Sequence, residues 1–250
     1  MKWHIRAFIL TAPLLTAAAG CQSPAAPESA FERQSIDETA DAPPLKLRDQ
    51  YTAQAHLHRF QLVTGGNASA STITVKRERA TEHQAEWRDV EQGGRVDYWR
   101  VEDGLALLTA VLDPDENTLS QFDPPLVVGY AELSPGEQRE ATASIRVVYA
   151  DRPDRLRDRG AATRTIEHLG WTQVQTDRGT ETLLHIRTTF RAELQRAEAE
   201  RTADLFIEPG TGIVARDERE RIRILGLFGP RSSRSLLRVR ETESESEDRP

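Results

Sequence analysis

From Tyr51 to Val239 apolar side chains recur mostly at every second position, and short runs of turn-forming residues separate them. That period is the mark of strands with one buried face. Tyr51 to Thr64 reads as a first strand and Gly65-Gly66-Asn67 as a turn, with a second strand from Ser71 to Arg79. Ala85 to Glu91 and Val96 to Glu102 flank Gly93-Gly94, a pair able to supply the positive φ angles of a tight hairpin. With those two residues as the loop, Trp87 would face Arg100 and Trp99 would face Arg88, on opposite sides of the ribbon. Leu105 to Leu112 continues the series, Phe122 to Gly136 reads as a proline-containing connection, and Arg139 to Tyr149 resumes the alternation. Asp151 to Gly160 reads as a polar loop.

A second long hairpin is expected from Ala162 to Thr176 and Thr180 to Leu194, around Arg178-Gly179. Strand register then assigns the buried side. Trp171 would stand opposite Ile186 and Leu169 opposite Thr188, giving a core face of Leu169, Trp171, Leu184, Ile186 and Phe190. The reverse face would carry Ile166, His168, Thr172, Leu183, His185 and Arg187. Ala192 to Asp204 is rich in helix-forming residues. The clean alternation on both flanks favours long strands joined by a polar bend. Glu208-Pro209-Gly210-Thr211-Gly212 is a turn, and Ile222 to Phe228 and Ser235 to Val239 complete the set.

Gln22 to about Pro44 is Ala, Pro, Ser, Glu and Asp with few large apolar residues, the composition of a flexible tether. Glu241 to Pro250 is an acidic Ser/Glu/Asp tail expected to be disordered. The layout is therefore a leader at 1–20, a tether at 21–45, a β-rich domain at 46–240 and a tail at 241–250. About 195 ordered residues would bury about 70% of their unfolded surface, enough for one independent domain.

The N-terminus has a basic start (Lys2, Arg6), an apolar run from Ala7 to Ala19, and Ala18-Ala19-Gly20-Cys21. The run is shorter than the ~20 residues of a membrane-spanning helix, and Pro13 interrupts it. The arrangement resembles the signal peptide and lipobox of bacterial lipoproteins. That resemblance implies acylation of Cys21, with the cysteine as the mature N-terminus. The family usually carries Leu where this chain has Ala18. Cleavage after Ala19, which would release a soluble protein, is the rival reading. Cys21 is the only cysteine of the chain, and lipidation would remove the liability of an unpaired thiol. Gln22 follows it in place of the Asp that signals inner-membrane retention in the family, so the resemblance implies the outer membrane, with the domain facing the periplasm.

Without residues 1–20 the chain has 40 acidic and 31 basic residues, a formal charge of −9. This is a poor basis for nucleic-acid binding, which needs a concentrated basic face. No disulfide is available to the domain.

The run Asp204-Leu205-Phe206-Ile207-Glu208-Pro209-Gly210-Thr211-Gly212-Ile213-Val214 resembles an aromatic-x-x-Pro-Gly-x-Gly-x-Val turn of bacterial envelope proteins of unknown function. Val174-Gln175-Thr176-Asp177-Arg178-Gly179 resembles the Val-x-Thr-x-x-Gly hairpin of the same proteins. Such domains look like relatives of the lipoprotein-carrier fold. The resemblance implies a mainly β fold: a single antiparallel meander forming an open or incomplete β-barrel, with at most one or two short helices. No segment reads as the helix that plugs the carrier barrel.

Candidate chemistry is sparse. His56 and His58 lie two apart on a strand and could share a metal, with His83 as a third ligand. They read instead as exposed strand histidines. His168 and His185 would share the outer face of the second hairpin, but ~13 Å apart. Gly210-x-Gly212 and Gly226-x-x-Gly229 read as turns, and no Gly-x-Ser-x-Gly elbow occurs. The expectation is a non-enzymatic envelope lipoprotein with no catalytic residue, cofactor or metal, and with Cys21 as its lipidation site. It would bind or scaffold, with the membrane and a lipid or envelope protein as partners. A carrier of lipid or lipoprotein acyl chains is the first alternative, secretion after Ala19 the second, and a hydrolase hidden in Phe122–Gly136 the third.

Overall fold

A computed structural model describes residues 31, 33–35, 42–51, 54–64, 67–176, 179–225 and 227–239. Cys21, the leader and the tail at 241–250 lie outside the described residues. The chain contributes β1 (Arg33–Ser35), β2 (Leu45–Lys46), α1 (Leu47–Gln50), β3 (His56–Thr64), β4 (Asn67–Arg79), β5 (Trp87–Glu91), β6 (Val96–Glu102) and β7 (Leu105–Asp113). It continues through β8 (Thr118–Tyr130), β9 (Glu132–Leu133), β10 (Gln138–Tyr149), β11 (Arg152–Thr176), β12 (Gly179–Leu194), β13 (Ala197–Glu208), β14 (Gly212–Ile224) and β15 (Leu227–Arg238).

Twelve of these strands, β3 to β8 and β10 to β15, pair antiparallel with their sequence neighbours in an up-and-down meander. The mainly β reading and the single meander hold. The ring also closes: β15 returns to β3 through Ser235 opposite Val63 to Arg238 opposite Phe60. Closure removes the free strand edges that an open barrel would expose.

Two local readings change, and a third holds. β8 runs through Pro124 and Pro125, where a connection was expected. Its register jumps between Leu126 opposite Leu108 and Gln121 opposite Ala110, so the prolines sit in a bulge where no ladder donor is needed. The expected polar loop at 151–160 is the start of the 25-residue β11, paired to β10 from Arg152 onward. Between Leu194 and Ala197 the chain makes the expected polar bend, with strand on both sides of it.

The tether expected over 21–45 joins the domain before its end. Phe31 is buried against Phe206 on the outer wall, and β1 adds to β11 beyond the end of β10. Ala42 and Leu45 are buried, β2 pairs with β9, and α1 fills one mouth of the barrel. Lys46 N–H donates to Asp49 Oδ2 at 3.0 Å, and Gly210 N–H donates to Asp49 Oδ1 at 3.2 Å, which ties the helix to the β13–β14 turn. This one-turn helix is the plug that the sequence did not reveal. It approaches β8 so closely that a Cβ at Gly129 would meet Leu47 Cδ1 at 2.9 Å.

Candidate functional site

The lumen is built in two parts. One end is apolar, with Leu133, Ile166, Leu184, Ile186, Leu205 and Ile207 packed under Ala42 and Leu45. The other wall, from β5 to β12, carries Trp87, Trp99, Leu108, Phe122, Leu126 and Ile145. Charged side chains stand between them, in phase with the core residues of their own strands. Arg77, Asp89, Arg95, Asp97, Arg164, Arg201, Arg216 and Glu218 line a cavity of about 190 Å³ together with Gln50, Tyr51, Trp99, Phe122 and Phe190.

Most of these charges neutralise one another. Asp89 receives a two-pronged ion pair from Arg77, with both contacts at 2.6 Å. Arg95 Nε donates to Asp97 at 3.1 Å. Glu218, 5% exposed, accepts from Arg201 at 2.7 Å and from Arg234 Nε at 2.6 Å, and also pairs with Arg216. Burial pushes the Glu218 carboxyl up, but the guanidinium groups of Arg216, Arg201 and Arg234 outweigh it and hold it far below the carboxylate range. Asp97 is likewise raised by burial and pulled below its ordinary value, chiefly by Arg95 and then Arg201. Burial raises the Tyr51 phenol.

Arg164 is different. Among the described residues it has no carboxylate or hydrogen-bond partner, and its Nε is buried and unsatisfied. It stands beside Phe190 on the neighbouring strand. Gln50 Nε2 and Trp99 Nε1 are also buried without partners, and all three groups line the same cavity. Tyr51 packs edge-on to Trp99 at 5.3 Å, and Arg77 lies 4.5 Å over the indole.

The tryptophan pair corrects the expected hairpin. Glu91 N–H donates to Arg95 O at 2.9 Å and Gly94 N–H to Glu91 O at 2.9 Å, so the loop has three residues, Gln92 to Gly94. One extra loop residue moves the register by one, and a one-residue slip changes faces. Trp87 therefore stands opposite Trp99, and both rings point into the lumen, stacked 6.1 Å apart.

The histidines are redistributed too. His56 and His58, expected to be exposed, lie on the lumen side with rings 4.0 Å apart. Burial, then the neighbouring His56, Arg238 and Arg77, lower the His58 pKa to about 3. His83 packs on Tyr98 at 4.7 Å outside the barrel, away from that pair. In the second hairpin Thr176 faces Gly179, two residues from the expected register, so Trp171, Leu184, Ile186 and Phe190 keep their inward face. A bulge at Leu169-Gly170 then turns Ile166 and His168 inward as well. His168 is fully buried: Gly170 N–H donates to its Nδ1 at 3.0 Å, which leaves Nε2–H to donate to Pro43 O at 3.1 Å. His185 lies on the opposite, outer face and bonds Asp204 at 2.7 Å. Among the described residues no three His, Cys, Asp or Glu side chains are grouped to hold a metal.

Sequence reasoning missed the lumen arginines and carboxylates. The available signal was phase: Asp89 shares the parity of Trp87, Asp97 that of Trp99, and Arg201 that of Leu205. No protein-family model and no curated protein matches the chain. Among solved structures it is similar to the hypothetical lipoprotein YmcC from Escherichia coli (K12), at a TM-score of 0.35 and 10% identity, over 76% of this chain and 89% of that one.

Proposed function

We propose that the chain is a lipid-anchored lipoprotein of the bacterial envelope, acylated at Cys21, whose barrel is a non-enzymatic binding module on the periplasmic side of the outer membrane. The observation that carries the binding role is the plugged lumen cavity, where Gln50, Trp99 and Arg164 hold buried donors without partners. A domain built only to scaffold gains nothing from such groups, because each unsatisfied buried donor costs about 1–3 kcal/mol.

Two further features support this reading. The outward faces of β10 to β12 carry Glu140, Thr163, Glu167, Arg187, Arg191 and Glu193, unlike the apolar band of a membrane-spanning barrel. Membrane attachment is then left to the N-terminus. Cys21 precedes the docked Phe31 by ten residues, a reach of at most ~35 Å. The lumen carboxylates Asp89, Asp97 and Glu218 are each engaged by arginine, which argues for holding a ligand over general acid–base work.

The alternative of an acyl-chain carrier requires a continuous apolar hollow. Five arginines and three carboxylates on the cavity wall weigh against it. The test is to purify the lipidated protein from membranes and identify what it releases on denaturation. A small polar molecule in molar proportion to protein supports the binding module, whereas a fatty acid or phospholipid in that proportion reverses the choice.

A further inference from the structure

The geometry points to a ligand class: a compact organic anion whose oxyanion head is held by Arg164, Gln50 and Trp99, with its apolar body against Phe122 and Phe190. This rests on the reading of the lumen as the binding site.

Three observations converge. First, the unsatisfied buried groups on the cavity wall are all N–H donors: Gln50 Nε2, Trp99 Nε1 and Arg164 Nε. Their complement is an acceptor with several lone pairs, and a carboxylate provides them in one plane. Second, the cavity has five arginines, Arg77, Arg95, Arg164, Arg201 and Arg216, against the carboxylates of Asp89, Asp97 and Glu218. The three acids are already paired with arginines other than Arg164. An anion at Arg164 supplies the missing charge, and a cation would add to the surplus. Third, Phe190 is the cross-strand neighbour of Arg164, and Phe122 packs edge-on to it at 6.4 Å. Leu108, Val111 and Val128 extend this apolar wall.

Size sets the limit. About 190 Å³ is roughly six times the share of one water in the liquid, and it lies below the ~300–1,000 Å³ of drug-sized pockets. The space suits a body of one ring or a short branched chain and excludes a peptide.

The experiment is titration calorimetry on the lipidated protein in detergent, after denaturation, washing and refolding to strip endogenous ligand. The probes are benzoate, neutral benzyl alcohol, benzylammonium and inorganic phosphate. Benzoate is expected to bind saturably and at least tenfold more tightly than the other three. Arg164→Gln should remove that preference with the thermal midpoint of the ligand-free protein unchanged or raised, since the variant loses an uncompensated charge. Gln50→Leu should weaken benzoate and leave benzyl alcohol unaffected, which separates a lost head-group contact from misfolding. Equal binding of benzoate and benzyl alcohol would overturn the ligand class and keep the lumen as a binding site. Phosphate preferred over benzoate would overturn the apolar body. Failure of every probe to bind would overturn both readings.

Discussion

Arg234 on β15 gives its Nε–H to Glu218 on β14 at 2.6 Å, and the same guanidinium reaches Glu91 at the end of β5, with Nη2 to Oε2 at 3.0 Å. One cation thus ties the closing strands to β5, three strands further round the ring. Glu218 also holds Arg201 and Arg216, so a single buried carboxylate compensates three guanidinium groups. Removing one member of a buried ionic set leaves the others uncompensated, at a cost of about 3–5 kcal/mol. Glu218→Gln is expected to lose that much in urea-induced unfolding. Arg216→Gln should cost clearly less, because Arg201 and Arg234 still pair with the carboxylate. Equal losses in the two variants would contradict the shared-acceptor arrangement.

Acid should weaken the domain well before its carboxylates titrate. Burial is the leading cause that lowers His56, His58 and His168 below the ordinary value of 6.5, and for His58 to about 3. The unfolded chain takes up these protons near pH 6.5, while the folded chain does so at lower pH, for His58 at about 3. Between those limits the unfolded state binds more protons, so stability falls as pH drops from 6.5 toward 3. Above pH 6.5 the three histidines contribute no slope. His58→Phe, beside Phe60 at 6.2 Å, should flatten the fall measured by thermal melts at pH 7, 6, 5 and 4. An unchanged slope in this variant would show that His58 takes up its proton at the same pH in the folded and unfolded chain.

The meander was legible where a strand carries the period-two pattern, as Ile145 and Val147 do on β10, and was lost at the polar start of β11 and at the prolines of β8. Faces were legible only where loop length was. Counting Gly93-Gly94 as the whole turn put Trp87 and Trp99 on opposite sides, and a third loop residue placed them together. The Leu169-Gly170 bulge had the same effect on His168. Alternation also cannot say whether a charged phase points to water or into a lumen. Arg201 shares the parity of the core residue Leu205, but only closure of the ring shows that this phase lines a lumen. The plug was hidden because four helical residues after Pro43-Pro44 carry too little periodicity to register.

Asp158 has a testable structural role at the bend between β12 and β13. Its carboxylate accepts N–H bonds from Gln195 at 3.1 Å, Arg196 at 3.2 Å and Arg159 at 2.8 Å, and the residue is 9% exposed. Asp158→Ala leaves Gln195 N–H its second acceptor, Arg159 O at 3.1 Å, but takes from Arg196 N–H its carboxylate partner, which should cost about 1–3 kcal/mol. Hydrogen exchange is the sharper readout. The amide of Arg196 should lose protection by one to two orders of magnitude, that of Gln195 by less because Arg159 O still accepts from it, and Leu184 and Ile186 should follow only the global change. Uniform loss across β12 would contradict a local clasp.

Under the proposed anchor, localisation turns on Cys21. A single acyl chain holds a protein to a membrane marginally, whereas two or more anchor it stably, at ~0.8 kcal/mol per buried methylene. Residue 21 precedes the first docked residue, Phe31, by ten positions in sequence, so a substitution there is expected to leave the barrel intact. Cys21→Ser is therefore expected to fold with unchanged thermal stability, to incorporate no labelled palmitate, and to move from the detergent phase to the aqueous phase on partition. The rival cleavage after Ala19 makes a different forecast: wild type and variant would both enter the aqueous phase, with Gly20 as the mature N-terminus by mass. A wild-type protein in the detergent phase whose N-terminal peptide carries acyl mass on residue 21 decides for the anchor. Since Gln22 replaces the retention signal, Gln22→Asp should then shift the protein from outer-membrane to inner-membrane fractions in a sucrose gradient. No shift would separate the anchor, which would stand, from the outer-membrane destination, which would not.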